Sequence, residues 1–167
     1  MNITDSLLLS RTGKVLKNRT VLAAMTNKQS HDDGILSEDE KKWLIRRAMG
    51  EFAITTTAAT NVTEHGRGWV GEMGVWGDHQ IPELTNLARE LKKTGTVSLA
   101  QLFHGGSQAS QRLTGSVPIS SSRIKSKGAD SGFAKEASGK DIERVIDDFT
   151  SAAVRCSNAG FDGVELH

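Results

Sequence analysis

Four clusters of small and polar residues carry what chemistry this sequence has. They are Ala24-Met25-Thr26, Ala58-Ala59-Thr60, Gln101-Leu102-Phe103-His104 and Glu165-Leu166-His167. Each stands at the C-terminal end of a short, mostly apolar run. Thr26 offers a hydroxyl, Gln101 an amide, and His104 and His167 imidazoles, all of them hydrogen-bonding groups. Singly, each has a plain structural use. Thr26 can cap a turn, Gln101 can satisfy a neighbouring backbone group, His104 can be a partly buried structural histidine, and His167 is the last residue. Four such sets at equivalent strand ends point instead to one ligand site, because that end of a β/α barrel is where ligand contacts are made.

Other chemistries find little support. There is no G-x-G-x-x-G and no G-x-x-x-x-G-K-[ST], so neither phosphate-cradling loop is present. The five histidines (His31, His65, His79, His104, His167) lack the i, i+4 spacing of a helical zinc site. A net charge of +1 gives no reason to invoke nucleic acid or an anionic membrane surface. The lone Cys156 allows no intrachain disulfide, which suits a reducing compartment. Neither a signal-like start nor a membrane-length apolar stretch is visible, so a cytoplasmic protein is expected.

The elements that must hold these clusters alternate. Apolar runs at residues 21–24, 52–57, 96–102 and 163–166 read as strands buried on both faces. Three helices separate them. The first has Ser37 and Glu40 as a capping box, Trp43, Leu44 and Ala48 on its apolar stripe, and Gly50 at its end. The second has Pro82 in its first turn, Leu84, Leu87, Ala88 and Leu91 at helical spacing, and Gly95 after it. The third is capped by Ser138 or Gly139 and ends near Gly160. Its buried face is read as Ile142, Val145, Ile146, Phe149, Ala152 and Ala153. This order predicts an α/β fold with a parallel sheet. Long connections, 58–80 and 103–138, follow strand ends, where loops of that length are usually functional. Residues 6–19 are expected to form a hairpin around Thr12-Gly13 that plugs the bottom of a barrel.

The ordered motifs resemble a known family. Leu16-Lys17-Asn18-Arg19-Thr20-Val21 followed by Ala24-Met25-Thr26 is similar to the start of old yellow enzyme-type NADH:flavin oxidoreductases. So are Gly66-Arg67 with Met73-Gly74-Val75-Trp76-Gly77-Asp78, and Gln101-Leu102-Phe103-His104-Gly105-Gly106. Pro118 with Ser121 and the closing run from Ala159 to His167 complete the likeness. The resemblance implies the N-terminal half, about four βα units, of a TIM (β/α)8 barrel, occupying residues 1–167.

It also implies an FMN cofactor, NADH or NADPH as hydride donor, and a small enone-type substrate whose activated alkene is reduced. Residue by residue, Thr26 would sit beside the flavin edge and tune its potential. Ala24 and Met25 would touch the ring through their backbone, as would Ala59. Gln101 would pair with the pyrimidine ring, and His167 would polarise the substrate carbonyl. Two departures stand out: Ala24 where proline is frequent and Ser107 where arginine is usual. The chain also has no tyrosine. A complete barrel needs about 250 residues and eight strands. The isolated chain is therefore expected to bind FMN poorly and to be inactive. Alternatives are a self-associating, non-catalytic half barrel, a homo-oligomer, or a dienoyl-thioester reductase or amine dehydrogenase of the same flavin-barrel superfamily.

Overall fold

A computed structural model describes residues 2–167. The chain opens with a hairpin of β1 (Leu7–Leu9) and β2 (Lys14–Leu16), turned at Gly13 with φ +69°. The main sheet then collects β3 (Val21–Leu22), β4 (Ile54–Asn61), β6 (Val97–Phe103) and β10 (Gly163–Leu166), all parallel, in the order β10-β6-β4-β3. A two-residue strand, β5 (Met73–Gly74), pairs with the end of β4. Helices α1 (Glu38–Met49), α2 (Ile81–Lys93) and α4 (Gly139–Ala159) cross between the strands and cover one face.

The helices form where the sequence signals them. The Ser37 hydroxyl accepts from the Glu40 N–H and starts α1. Ser138 and Asp141 make a reciprocal capping box at α4, and Gly160 ends it at φ +94°. Pro82 lies in the first turn of α2. Leu44, Leu84, Leu87, Leu91 and Leu102 are fully buried between helices and sheet. Each such side chain contributes about 2 kcal/mol of burial energy. Ala100 and Leu102 face this core, so by strand alternation Leu99, Gln101 and Phe103 face the opposite, inner side.

Several boundaries differ from expectation. The third strand stops at Leu22, which leaves Ala24, Met25 and Thr26 on the loop beyond it. The fourth runs on to Asn61 through a bulge between Thr56 and Ala59. Only half of the expected box forms at α1, because the Glu40 carboxylate turns inward to other partners. Residues 103–138, read as one long connection, contain a short helix α3 (Gln111–Thr114). They also contain a small sheet of β7 (Ile119–Ser120), β8 (Ile124–Lys125) and β9 (Phe133–Glu136).

The sheet is not closed into a barrel. β3 and β10 have one pairing partner each among the described residues. Ile142 and Ile146, expected on the buried face of α4, are 52% and 59% exposed, as is Leu166 at 72%. Ile146 and Leu166 line one open apolar cleft between α4 and β10.

The bottom hairpin is fastened to the sheet by Asp162. Its carboxylate accepts from the Ser98 N–H at 2.9 Å and the Ser98 hydroxyl at 3.1 Å, and it pairs with Lys14. Burial pushes this carboxyl's pKa up, but Lys14 and Ser98 together outweigh that and hold it below the usual range. A depressed native pKa gives stability that is present above the ordinary aspartate value and is lost as pH falls through the native one. The Asp162→Asn protein should therefore show a flatter fall in thermal midpoint between about pH 5 and pH 3 than the parent, measured by circular dichroism. An unchanged acid limb would assign the acid sensitivity elsewhere.

Candidate functional site

The inner, C-terminal side of the sheet brings the expected residues to one end of the fold. Gln101 on β6 sits between Ala59 on β4 and Glu165 on β10, each its direct neighbour in the parallel ladder. Two hydrogen bonds fix it. The Thr57 hydroxyl accepts its backbone N–H at 3.1 Å, an approach made available by the bulge in β4. The side chain is 9% exposed. Its Nε2 donates to Glu165 Oε1 at 2.8 Å. Oε1 and the second amide hydrogen have no protein partner among the described residues.

His167 follows β10 and continues its ladder, donating its N–H to Leu102 O at 2.9 Å. Its ring stacks on Phe103, with centroids 5.8 Å apart and planes at 27°, and Trp69 lies 5.5 Å from the other side of that cluster. Phe103 and Glu165 belonged to the strand-end clusters in the sequence, but neither had a role there. Alternation from Gln101 would have found Phe103. Glu165 needs the register of two strands 64 residues apart in sequence.

Ala24, Met25 and Thr26 reach the same end from the loop after β3, two strands away from Gln101. A buried carboxylate holds that loop. Glu40 on α1 accepts from the Ser30 hydroxyl at 2.5 Å and from Asn27 Nδ2 at 3.1 Å. Gly71 backs the loop, accepting the Ser30 N–H at 3.2 Å. A Cβ on Gly71 would meet Lys28 O at 2.6 Å, and its φ is +77°, so only glycine fits.

A second buried acid holds the loop after β4. Glu72 accepts from the Gly68 N–H at 2.8 Å and from Asn61 Nδ2 at 3.1 Å. Burial raises the pKa of both acids, against the hydrogen bonds each receives.

His104 does not join the site as a free imidazole. Its Nδ1 accepts from the Gly106 N–H at 2.9 Å, which leaves the ring proton on Nε2. That nitrogen packs so tightly that a Cβ on Gly66 would come within 3.0 Å of it. Burial first, and Arg144 second, lower its pKa. These contacts are those of a structurally held histidine. The small sheet beyond it is tied down by Ser126, whose hydroxyl donates to Ser107 O at 2.6 Å, and by the Gln111 N–H, which donates to Gly128 O at 2.7 Å.

An open parallel β/α sheet that carries a half-satisfied amide and an imidazole at its C-terminal ends has the layout of half a TIM-type barrel. The comparisons give the rest. The profile of the NADH:flavin oxidoreductase / NADH oxidase family matches residues 11–167, and the chain belongs to that family. A probable NADH-dependent flavin oxidoreductase of Bacillus subtilis, YqiG, is 33% identical over 94% of this chain and 42% of its own length. The NADPH dehydrogenase of the same organism is 31% identical over 91% of this chain and 44% of its own. Among solved structures, the old yellow enzyme homologue from Zymomonas mobilis superposes with a TM-score of 0.90 at 25% identity, covering 100% of this chain and 48% of that one. The chain thus spans less than half the length of the relatives it matches.

The two acids give a sharp contrast in mutagenesis. Glu40→Gln keeps an acceptor oxygen for Asn27, lets its amide nitrogen donate to the Ser30 hydroxyl, and removes the cost of a buried charge. Its stability at pH 7 should equal or exceed the parent's. The sign follows from the raised pKa, whose contribution to stability is full at acid pH and is lost as pH rises through the native value. Glu40→Ala leaves two donors unsatisfied and should lose about 1–3 kcal/mol by urea denaturation. Equal stability of the two variants would mean that the loop does not depend on this acceptor.

Proposed function

We propose that the whole protein is an NAD(P)H-dependent FMN oxidoreductase of the ene-reductase type, acting on a small α,β-unsaturated carbonyl compound. The observation that carries this reading is the placement of the free Gln101 amide edge beside His167 at the ends of adjacent parallel strands. Gln101 offers an acceptor and a donor side by side. That pair complements a ring edge with alternating carbonyl and N–H groups, such as the flavin pyrimidine. Alanines 24 and 59 leave room for a flat ring near the sheet, and the Thr26 hydroxyl stands at the same end.

FMN, when bound, supplies a ring that takes hydride from NADH or NADPH and passes it to an electron-poor alkene. The protein's own work is positioning and polarisation. Gln101 binds and orients the ring edge. Thr26 hydrogen-bonds near it and tunes how readily it accepts electrons. Met25, Ala24 and Ala59 contact the ring with their backbone. His167, braced by Phe103, donates to the substrate carbonyl oxygen, where negative charge grows during transfer. A donor of this kind accounts for about a hundredfold to a thousandfold in rate.

Two variants test the assignment. Gln101→Ala should weaken FMN binding at least about tenfold, the scale of a lost pair of neutral hydrogen bonds, as read by flavin fluorescence quenching. His167→Ala should leave FMN affinity within about twofold while reducing enone turnover by about a hundredfold or more. If His167→Ala reduces cyclohexenone as fast as the parent, the carbonyl-donor role is wrong.

The uncovered strand edges favour a second reading for the 167-residue chain taken alone. Unpaired parallel edges at β3 and β10, with Ile142, Ile146 and Leu166 exposed beside one of them, favour association of copies. Light scattering should then report a mass of at least two chains. A monodisperse monomer would oppose it.

A further inference from the structure

The amide of Gln101 has one freedom left. Its backbone N–H is bound by Thr57 and its stem is buried, so what remains is rotation of the terminal amide. The two orientations have almost the same shape and differ only in whether oxygen or nitrogen faces a given neighbour. A ligand that needs an acceptor at one point sees them as different sites.

Glu165 separates the two. It faces Gln101 directly across the β6–β10 ladder, and its Oε1 stands 2.8 Å from Nε2. A carboxylate only accepts hydrogen bonds. The reversed amide would set oxygen against oxygen at that distance. The other acids near the site behave differently. Glu40 and Glu72 are buried, and each takes two donors: Asn27 and Ser30 for Glu40, Gly68 and the strand-end Asn61 for Glu72. Glu165 is exposed, has no ion pair among the described residues, and takes one side-chain donor, which is the amide in the site. Its charge serves neither the core nor an ion pair.

We propose that Glu165 is a positioning residue that locks the Gln101 amide with Oε1 and one N–H turned to the ligand, so that a single edge is presented to the flavin ring. This rests on the reading of Gln101 as a flavin-binding group.

The test is a set of FMN titrations of the whole protein followed by fluorescence quenching, with Glu165→Gln, Glu165→Lys, Gln101→Ala and the two double variants. A glutamine at 165 accepts or donates and no longer selects an orientation, so Glu165→Gln should weaken FMN about fivefold. A lysine only donates, so it should hold Oε1 and turn the amide round, with a loss of about twentyfold or more. In the Gln101→Ala background both substitutions should fall within about twofold of Gln101→Ala alone. Losses that persist in that background, or no loss at all, would overturn the positioning role while leaving Gln101 as a flavin ligand. An unchanged affinity in Gln101→Ala itself would overturn the reading beneath it as well.

A second measurement needs no flavin. The side-chain 15N–1H signals of Gln101 should move in Glu165→Gln relative to the parent, because the carboxylate that accepts from Nε2 is gone. Identical signals in the two proteins would end the proposal.

Discussion

Parallel strands deliver their functional residues to one end only while their register holds, and β6 is the strand whose register governs the others. On one side Ile54, Thr55 and Thr56 pair with Val97, Ser98 and Leu99, and after the bulge Ala59 pairs with Gln101. On the other side Gly163 pairs with Leu99 and Glu165 with Gln101. A slip by one residue would exchange inner and outer faces. Leu102 would then stand in the site, and Gln101 would be pressed among Leu84, Leu87 and Leu91. The leucine core between sheet and helices therefore does more than stabilise the sheet. It makes a one-residue slip expensive, and so fixes which face of β6 meets the site.

The loops after β3 and β4 are anchored in the core by Leu36, Val62, Met73 and Val75, and they have a polar restraint as well. Here each uses a buried carboxylate. Glu40 reaches from α1 to the loop after β3, and Glu72 folds back under the loop after β4. A carboxylate can take several donors at once, so one side chain satisfies a turn that leaves polar groups unpaired. The cost is desolvation, visible in the raised pKa of both. The two loops also meet, where Gly71 accepts from Ser30, so neither moves independently of the other.

What could be read in the sequence was local. Ser37, Pro82, Ser138 and Gly160 mark helix ends by chemistry that acts within a few residues, and the structure places the ends there. The strand-end position of Gln101 and His167 was legible for the same reason. Interactions that need two distant segments were not. Threonine-rich β4 looked shorter than it is because its continuation through Ala58 to Asn61 depends on β6 beside it. Glu40 had the right spacing for a capping box, but a buried tertiary partner won its carboxylate. Residues 119–136 read as a loop because strands of two to four residues leave no periodic pattern. Ile142 and Ile146 have the period of a buried face, and period alone does not say whether anything lies over it.

The ion pair between Lys14 and Asp162 has a consequence for how the chain is made. Its partners are 148 residues apart in sequence. Synthesis proceeds at about 5–20 residues per second, so on the ribosome the hairpin emerges roughly 7–30 seconds before the carboxylate that fastens it exists. During that interval β1 and β2 are a two-stranded hairpin in water, a unit with marginal stability of its own. The hairpin is thus fastened to the sheet long after it is synthesised, and the nascent chain carries it as a loose flap until the segment with Asp162 has docked.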